Sequence, residues 1–362
     1  MTDKTHDTRT FQIGSDRVGP DQPTYFIADV AANHDGDLDR ARDLIHLAAE
    51  AGADAAKFQH FSASTIVSDR GFKDLGGQLD HQASWKKSVF EVYEDASIDP
   101  NWTEVLKETC DAAGITFFTS PYSFDLVDEV DRFVPAYKVG SGDITWTDII
   151  RHMASKGKPM LIASGAATTD DVVRAVDAAL ELTSDVCLMQ CNTNYTGSHE
   201  NFRHIHLRVL ETFRAMYPNL LLGLSDHTPG HATVLGAVAL GARIVEKHFT
   251  DDGERVGPDH GFSLDPSAWR EMVDRTRELE LALGSGAKRI AENEIQTVVV
   301  QRRAIRARRE IGEGTIVTAD DLEVLRPCPA DGLPPHRMDE VVGRVSTRTI
   351  QDGEHIRWID LK

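Results

Sequence analysis

Two histidines in matched settings carry the first chemical signal in this chain: His227 in LLLGLSDHTPG and His248 in RIVEKHFT, each directly after a short apolar run. An Ala-rich stretch, ATVLGAVALGA, separates them, so the two runs read as consecutive buried parallel strands joined by a crossover helix. Each histidine then leaves the C-terminal end of a strand, the edge at which α/β barrels build their active sites. Imidazole is the commonest metal ligand, and the neighbouring acids Asp226 and Glu246 could orient the rings or complete a ligand shell. One such histidine alone reads as a hydrogen-bonded structural residue. Two at equivalent strand ends read as a pair of ligands.

The elements that must position them follow from the hydrophobic pattern. From residue 24 the apolar runs are TYFIADV, ADAAKFQ, ITFFTSP, AYKVGSG, KPMLIASG, VCLMQCN, LLLGLSD and RIVEKHF, with helical stretches such as RARDLIHLAAEAG, WTEVLKETCDAAG and DDVVRAVDAALEL between them. Eight strand candidates, each followed by helical material, predict an α/β fold of the (β/α)8 TIM-barrel type over residues 24–284. A doubly wound sheet is the weaker alternative, because no GxGxxG follows the first strand. Residues 1–23 read as an N-terminal extension. Residues 60–100 are too long for an ordinary connection and follow the second strand on the presumed active face. They read as a lid or substrate-binding excursion, the alternative being a passive insertion. The Gly/Ser cluster GSGAK and the polar AENEIQ mark a linker over 285–298. Beyond it, short β-like runs, Gly turns and prolines predict a small β-rich module over 299–362.

Collecting the residues at the strand ends gives one coherent rim. Strand one ends in Asp29, Asn33 and His34; strand two in Lys57 and Gln59; strand three in Thr119 and Ser120. Strand four supplies Lys138, Ser141 and Asp143; strand six Asn192, Thr193 and Tyr195. Strand seven supplies Ser225, Asp226 and His227, and strand eight Glu246, Lys247 and His248. Any one of these is explained as a turn or surface residue. Together, two lysines among hydroxyl and amide donors form a phosphate and carboxylate pocket, since an ammonium supplies charge and Ser, Thr and Asn supply directed donors. Two histidines with carboxylates nearby form a divalent-metal site able to polarise a carbonyl oxygen. The expected chemistry is a phosphorylated anionic co-substrate reacting beside a metal-bound carbonyl compound. The GxSxG elbow of acyl-transfer enzymes is absent.

Composition narrows the class further. The 362 residues are 41% hydrophobic and 27% charged, ordinary for a globular protein, and the formal charge of −19 argues against a nucleic-acid or acidic-membrane surface. Cys110, Cys187, Cys191 and Cys328 form no CxxC pair, so reduced thiols in a cytoplasmic setting are expected. The first twenty residues are polar and no apolar stretch reaches membrane-spanning length, so a soluble, cytoplasmic protein is expected.

The motifs ADVAANHDG, KFQ, FFTSPY, YKVGSGD, ASG, CNTNY, GLSDHTPG, EKHFT and GPDHGFSLDP, in this order, resemble the motif set of sialic acid synthases and their legionaminic and pseudaminic acid relatives. The tail, with RRAI, IGEGTIVTADDL and LRP, is similar to the antifreeze-like SAF domain (β-clip) of those enzymes. The resemblance implies condensation of phosphoenolpyruvate with a 2-acetamido sugar aldehyde, Mn2+ or Mg2+ as cofactor, and a domain-swapped homodimer. Carried over by motif, Lys57, Ser120, Lys138, Ser141, Thr193 and Ser225 would hold phosphoenolpyruvate, and His227 and His248 the metal. Gln59, Asp143, Tyr195, Asp259 and Arg326 would face the sugar, with Arg326 reaching the partner's site. Glu246, Asp29, Lys57 and Gln59 would stand at the reacting centre. Three positions depart from the usual pattern: Asp29 and Asp143 stand where Glu is common, and Thr196 where Pro is common. Each shortened acid withdraws its carboxylate by a methylene, which bears on the identity of the sugar. Outside the resemblance, the same residues admit a Schiff-base aldolase using Lys57, Lys138 or Lys247. A non-catalytic carbohydrate-binding protein built on the C-terminal module leaves the polar rim unexplained.

Overall fold

The computed structural model describes residues 10–362; residues 1–9 of the expected N-terminal extension lie outside the described residues. The chain divides into two compact units between Gly284 and Ser285.

The first unit is built on eight parallel strands: β3 (Tyr25–Asp29), β4 (Ala55–His60), β5 (Thr116–Pro121), β6 (Tyr137–Val139), β7 (Met160–Ala163), β8 (Val186–Cys191), β9 (Leu221–Asp226) and β10 (Ala242–His248). Hydrogen-bonded neighbours run β5-β4-β3-β10-β9-β8-β7-β6, a nearly closed TIM-like barrel. All eight expected strands are present. Their near-continuous burial reflects the helices that cover the outer face, while the inner face is filled by side chains. The period-two alternation of a strand sorts each run into two sets. Tyr25, Ile27, Ala55, Phe118, Ala136, Leu161, Cys187, Met189, Leu221 and Ile244 pack together inside the barrel. Phe26, Ala28, Ala56, Phe58, Phe117, Tyr137, Val139, Leu188, Leu222, Leu224 and Val245 pack outward against the helices. The interior is tight enough to require glycine at 223, where a Cβ would stand 2.9 Å from the Ile244 carbonyl oxygen and from Met189 Cγ.

Part of the expected extension has a defined role. Strands β1 (Phe11–Ile13) and β2 (Asp16–Val18) form an antiparallel hairpin. Phe11, Ile13 and Val18 join the inner cluster, so the hairpin caps the apolar interior of the barrel. The helices follow from caps and amphipathic spacing. Leu38–Glu50 starts at Asp37, whose carboxylate accepts from the Asp39 and Arg40 amides, and it buries Ala41, Leu44, Ile45 and Ala48. The excursion after β4 folds into short helices at Ala63–Ile66, Asp69–Asp74 and Val89–Ala96, with a 3-10 turn at Asp80–Ser84.

In the second unit, β11 (Ala304–Ala307) pairs antiparallel with β12 (Leu322–Leu325). Ile305, Ala307, Ile311, Val317, Leu322, Leu333, Val341, Ile350, Ile356 and Leu361 make its own core. Its ion pairs include Arg348 with Glu354 and Asp360, and Arg309 with Asp321. A short helix, Ile295–Gln301, begins within the segment that the Gly/Ser and polar composition marks as a linker.

Candidate active site

The alternation that fills the barrel also selects its rim. Counting two residues at a time from the inner apolar set, Ile27 leads to Asp29, Ala55 to Lys57 and Gln59, and Phe118 to Ser120. Likewise Ala136 leads to Lys138, Leu221 to Ser225, and Ile244 to Glu246 and His248. These side chains share one face at the C-terminal ends of parallel strands.

They converge on a cavity of about 390 Å³. Its lining includes Asp29, Lys57, Gln59, Lys138, Ser141, Asp143, Thr193, Tyr195, Ser225, His227, Glu246, His248 and Asp259. Of the residues expected at the site, two are not among those lining this cavity of the first unit. Ser120 has the inward parity but is not among the lining residues, and its hydroxyl is buried with no hydrogen-bond partner among the described residues. Arg326 belongs to the second unit, where its Nε–H donates to the Gln301 carbonyl at 2.6 Å.

The charges are tightly arranged. Lys57 Nζ lies 2.6 Å from Asp29 Oδ2 and 3.9 Å from Glu246 Oε1, and Lys138 Nζ lies 3.5 Å from the same Glu246 oxygen. Burial opposes a charge on Lys57, but Asp29 and Glu246 outweigh it and hold its pKa above the usual lysine value. Gln59 Nε2 donates to Asp29 at 3.2 Å, and the Ser225 hydroxyl donates to Glu246 Oε1 at 3.2 Å. The Thr193 hydroxyl donates to Ser141 Oγ at 2.9 Å and accepts from the Ala166 amide. Gly165 makes that approach possible, since a Cβ there would fall 2.3 Å from Ser141 Cβ and 2.5 Å from Thr193 Oγ1. Asp143 and Asp259 are lifted to about 6 by burial, and Asp259 accepts from the Ala32 amide at 3.1 Å.

The donor set fits a divalent cation in part. His227 and His248 have ring centroids 5.3 Å apart. The His227 Nδ1–H donates to the Asn192 carbonyl at 2.9 Å, which leaves Nε2 with its lone pair, and His248 Nδ1 is buried without a partner. Burial pushes both pKa values down, that of His248 furthest, so the neutral form of each ring is favoured. Glu246 Oε2 is likewise buried and unpartnered. Among the described residues no group of three or more His, Cys, Asp and Glu side chains is clustered closely enough to hold a metal by itself. The arrangement therefore suits an ion that takes two imidazoles and completes its shell from solvent and substrate.

Five residues of the expected rim serve the scaffold instead. Asp226 does not orient an imidazole: with outward parity, it is paired with Lys247 at 2.6 Å and bonded to Thr228 and Thr233, so neither Asp226 nor Lys247 lines the cavity. Thr119 is also outward, donating to the Phe58 carbonyl and bonded to His60. Asn33 ties the first strand's turn to Phe249 and Ser263. His34 packs edge-on against Trp102. Sequence reasoning missed the aromatic wall: Phe61, Phe72, Trp85, Tyr93 and Tyr122 line the cavity, all but Tyr122 from the excursion. The excursion is thus part of the site. Phe262 is a further absentee, with its ring 4.7 Å from that of His248.

A cavity lined by charged and aromatic side chains at the C-terminal rim of a parallel barrel marks the chain as a barrel enzyme. The NeuB family model matches residues 44–288, and the SAF domain model matches residues 302–362. The chain is 33% identical to human N-acetylneuraminate-9-phosphate synthase, over 94% of this chain and 93% of that protein. It is 31% identical to N,N'-diacetyllegionaminic acid synthase of Legionella pneumophila, over 94% of this chain and 95% of that one. Among solved structures, the N-acetylneuraminic acid (sialic acid) synthetase of Leptospira borgpetersenii, in complex with citrate, matches with a TM-score of 0.70 at 26% identity. That match covers 80% of this chain and 95% of the other. The chain belongs to the NeuB family of synthases and carries a SAF domain at its C-terminal end.

Proposed function

We propose that this enzyme is a nonulosonate synthase, condensing phosphoenolpyruvate with an N-acetylmannosamine-like 2-acetamido sugar aldehyde and releasing phosphate by C–O cleavage. A 2,4-diacetamido-6-deoxy hexose, as in legionaminic or pseudaminic acid synthesis, is the alternative acceptor. The single observation that carries this reading is the pair of buried ammonium groups, Lys57 and Lys138, both within 3.9 Å of Glu246 Oε1 at the barrel rim. Such a pair, with Ser141, Thr193 and Ser225 as directed donors, suits a small molecule bearing both phosphate and carboxylate.

In the reaction, C3 of phosphoenolpyruvate forms a bond to the aldehyde carbon, whose oxygen takes a proton and becomes a hydroxyl. Water adds at C2, the C2–O bond to phosphate breaks, and C2 is left as a ketone. Lys57 and Lys138 hold the anion in place and oppose the negative charge on the departing phosphate. Glu246, buried beside both lysines with Oε2 unpartnered, is placed to take or give the proton. When bound, Mn2+ or Mg2+ would polarise the acceptor's carbonyl oxygen, held by His227 and His248. Gln59, Asp143, Tyr195 and Asp259 orient the acceptor. A homodimer, in which Arg326 serves the partner's site, completes the proposal.

Imine chemistry at Lys57 or Lys247 is disfavoured by the same geometry. A Schiff-base lysine must lose its proton, whereas Lys57 has its charge stabilised and Lys247 is locked to Asp226 outside the cavity. The test is phosphate release from phosphoenolpyruvate with 2-acetamido and 2,4-diacetamido hexoses as acceptors. Release that requires the acetamido sugar, without borohydride trapping of an imine, supports the synthase; trapping of a lysine adduct overturns it.

A further inference from the structure

The turn that delivers Asp259 to the cavity is held from behind by a residue the proposed reaction does not use. Residues 251–257 are all exposed, and His260 is the first fully buried residue after them. It opens a single 3-10 turn, His260–Phe262, with Asp259 at the N-cap. Side chains three apart eclipse on such a turn. Accordingly Asp259 lines the cavity and the Phe262 ring lies 4.7 Å from that of His248, whereas His260 is not among the lining residues. Gly257 makes room for the imidazole, since a Cβ there would fall 2.6 Å from His260 Cδ2.

Both ring nitrogens are engaged, and they tie two strand ends together. Nδ1 lies 2.8 Å from the Thr250 hydroxyl oxygen, just after β10, and Nε2 lies 2.9 Å from Asp35 Oδ1, in the turn after β3. A carboxylate only accepts, so Nε2 carries the proton. Asp35 has a left-handed φ of 53° and Ala31, in the same turn, one of 46°. Such angles are uncommon for residues with a Cβ and persist where the surroundings over-determine them. Here Arg255 and Arg40 also grip the Asp35 carboxylate, at 2.7 and 3.2 Å. The same turn supplies the Ala32 amide that donates to Asp259 Oδ2 at 3.1 Å. Residues 259 and 260 are therefore stitched to residues 32 and 35 side by side. Among the described residues the Ala32 amide is the one hydrogen-bond partner of the Asp259 carboxylate, so Oδ1 is left for a ligand.

Resting on the synthase reading of this site, we propose that His260 and Asp35 are a positioning pair for the acceptor: bonded to each other behind the cavity wall, they fix the Asp259 carboxylate where Oδ1 meets a hydroxyl or amide of the sugar. Neither touches substrate. Lys57, Lys138, Ser141, Thr193 and Ser225, assigned to phosphoenolpyruvate, make no hydrogen bond with Asp35, His260 or Asp259 among the described residues. Misplacing a positioning group by about 1 Å can cost about 100-fold. Loss of the pair is thus felt by one substrate and not by the other.

The experiment compares kcat and the two KM values of full-length wild type, His260→Ala, His260→Gln, Asp35→Gly and the double variant His260→Ala/Asp35→Gly. It reads phosphate release from phosphoenolpyruvate with N-acetylmannosamine or 2,4-diacetamido-2,4,6-trideoxymannose, whichever the wild type uses faster. Glycine suits the left-handed angle at position 35, so Asp35→Gly removes the carboxylate without backbone strain. His260→Ala and Asp35→Gly should each raise KM for the acceptor at least about tenfold, while KM for phosphoenolpyruvate stays within about twofold. The double variant should exceed the worse single one by no more than about twofold, because the two residues act as a unit. His260→Gln, whose amide can still donate to Asp35, should bring the acceptor KM back to within about threefold of wild type. A fall in kcat with both KM values unchanged, or equal rises in both, marks a merely structural role and overturns the inference. Asp35 is not buried, so its variant carries the test even where His260→Ala does not fold: an unchanged acceptor KM in Asp35→Gly overturns the pair and leaves the synthase reading intact. No release by the wild type with either sugar sinks the synthase reading itself, and the pair's role with it.

Discussion

Lys57 Nζ lies 2.6 Å from Asp29 Oδ2, and both side chains are 2% exposed. The pairing follows from strand register: Asp29 of β3 stands directly beside Lys57 of β4, and both carry the inward parity. Removing one partner leaves an uncompensated buried charge, which typically costs about 3–5 kcal/mol. The folded pKa of Lys57 is raised, so its contribution to stability is fully present through neutral pH and is lost only as pH climbs past the ordinary lysine value. Asp29→Ala should therefore lower the melting temperature at pH 7, and Asp29→Leu/Lys57→Met should recover much of that loss. Calorimetry of the three proteins checks this. A double variant no more stable than Asp29→Ala would show that the pair is uncoupled.

The second prediction concerns the imidazoles. With two neutral rings and no third clustered ligand, the proposed metal is held by few protein atoms, so each ring matters. His227→Ala or His248→Ala should weaken Mn2+ binding by at least about tenfold, measured by calorimetric titration, and chelation should abolish turnover. Undiminished Mn2+ affinity in both variants would remove the histidines from the metal site.

Much of this was legible in the chain because period-two alternation is a local property. The eight apolar runs named the strands, and the same alternation, started from Leu221 or Ile244, separates inward Ser225, Glu246 and His248 from outward Asp226 and Lys247. Adjacency in sequence misled where parity would not have: Asp226 precedes His227, yet its carboxylate goes to Lys247. The hairpin at Phe11–Val18 was hidden because its strands are three residues each, too short for a periodic signal. The aromatic wall was hidden for another reason. Phe72, Trp85 and Tyr93 lie on short helices or turns whose placement over the rim is set by tertiary packing.

A third prediction tests Arg326 in the proposed dimer. Arg326→Ala and His227→Ala chains should each be inactive as homodimers. If Arg326 serves the partner's site, a mixed dimer gathers both defects in one site and leaves the other wild type, so about half of the activity per dimer returns. If it serves its own chain, each site keeps one defect and no activity returns. Assay after subunit exchange, with exchange verified by differential labelling, decides between them.

The last prediction is a pH dependence of stability. His34 and His60 are both pushed down to about 4, chiefly by burial; for His60 the nearby His34 adds to the effect. His60 is held at Nδ1 by Thr119 at 2.7 Å and at Nε2 by Thr103 at 2.8 Å, so the neutral ring is satisfied without a proton. In the unfolded chain a histidine takes up a proton near pH 6.5, and in the native state these two do so only near 4. Their contribution is thus present above 6.5 and drains away as pH falls towards 4, each at up to about 1.4 kcal/mol per pH unit. His227 and His248 act in the same direction. Urea unfolding at several pH values between about 7 and 5 should show stability falling on acidification, and His60→Gln should be less stable at pH 7 but shallower in slope by about one proton. A slope unchanged in the variant would mean that His60 is already protonated in the folded enzyme.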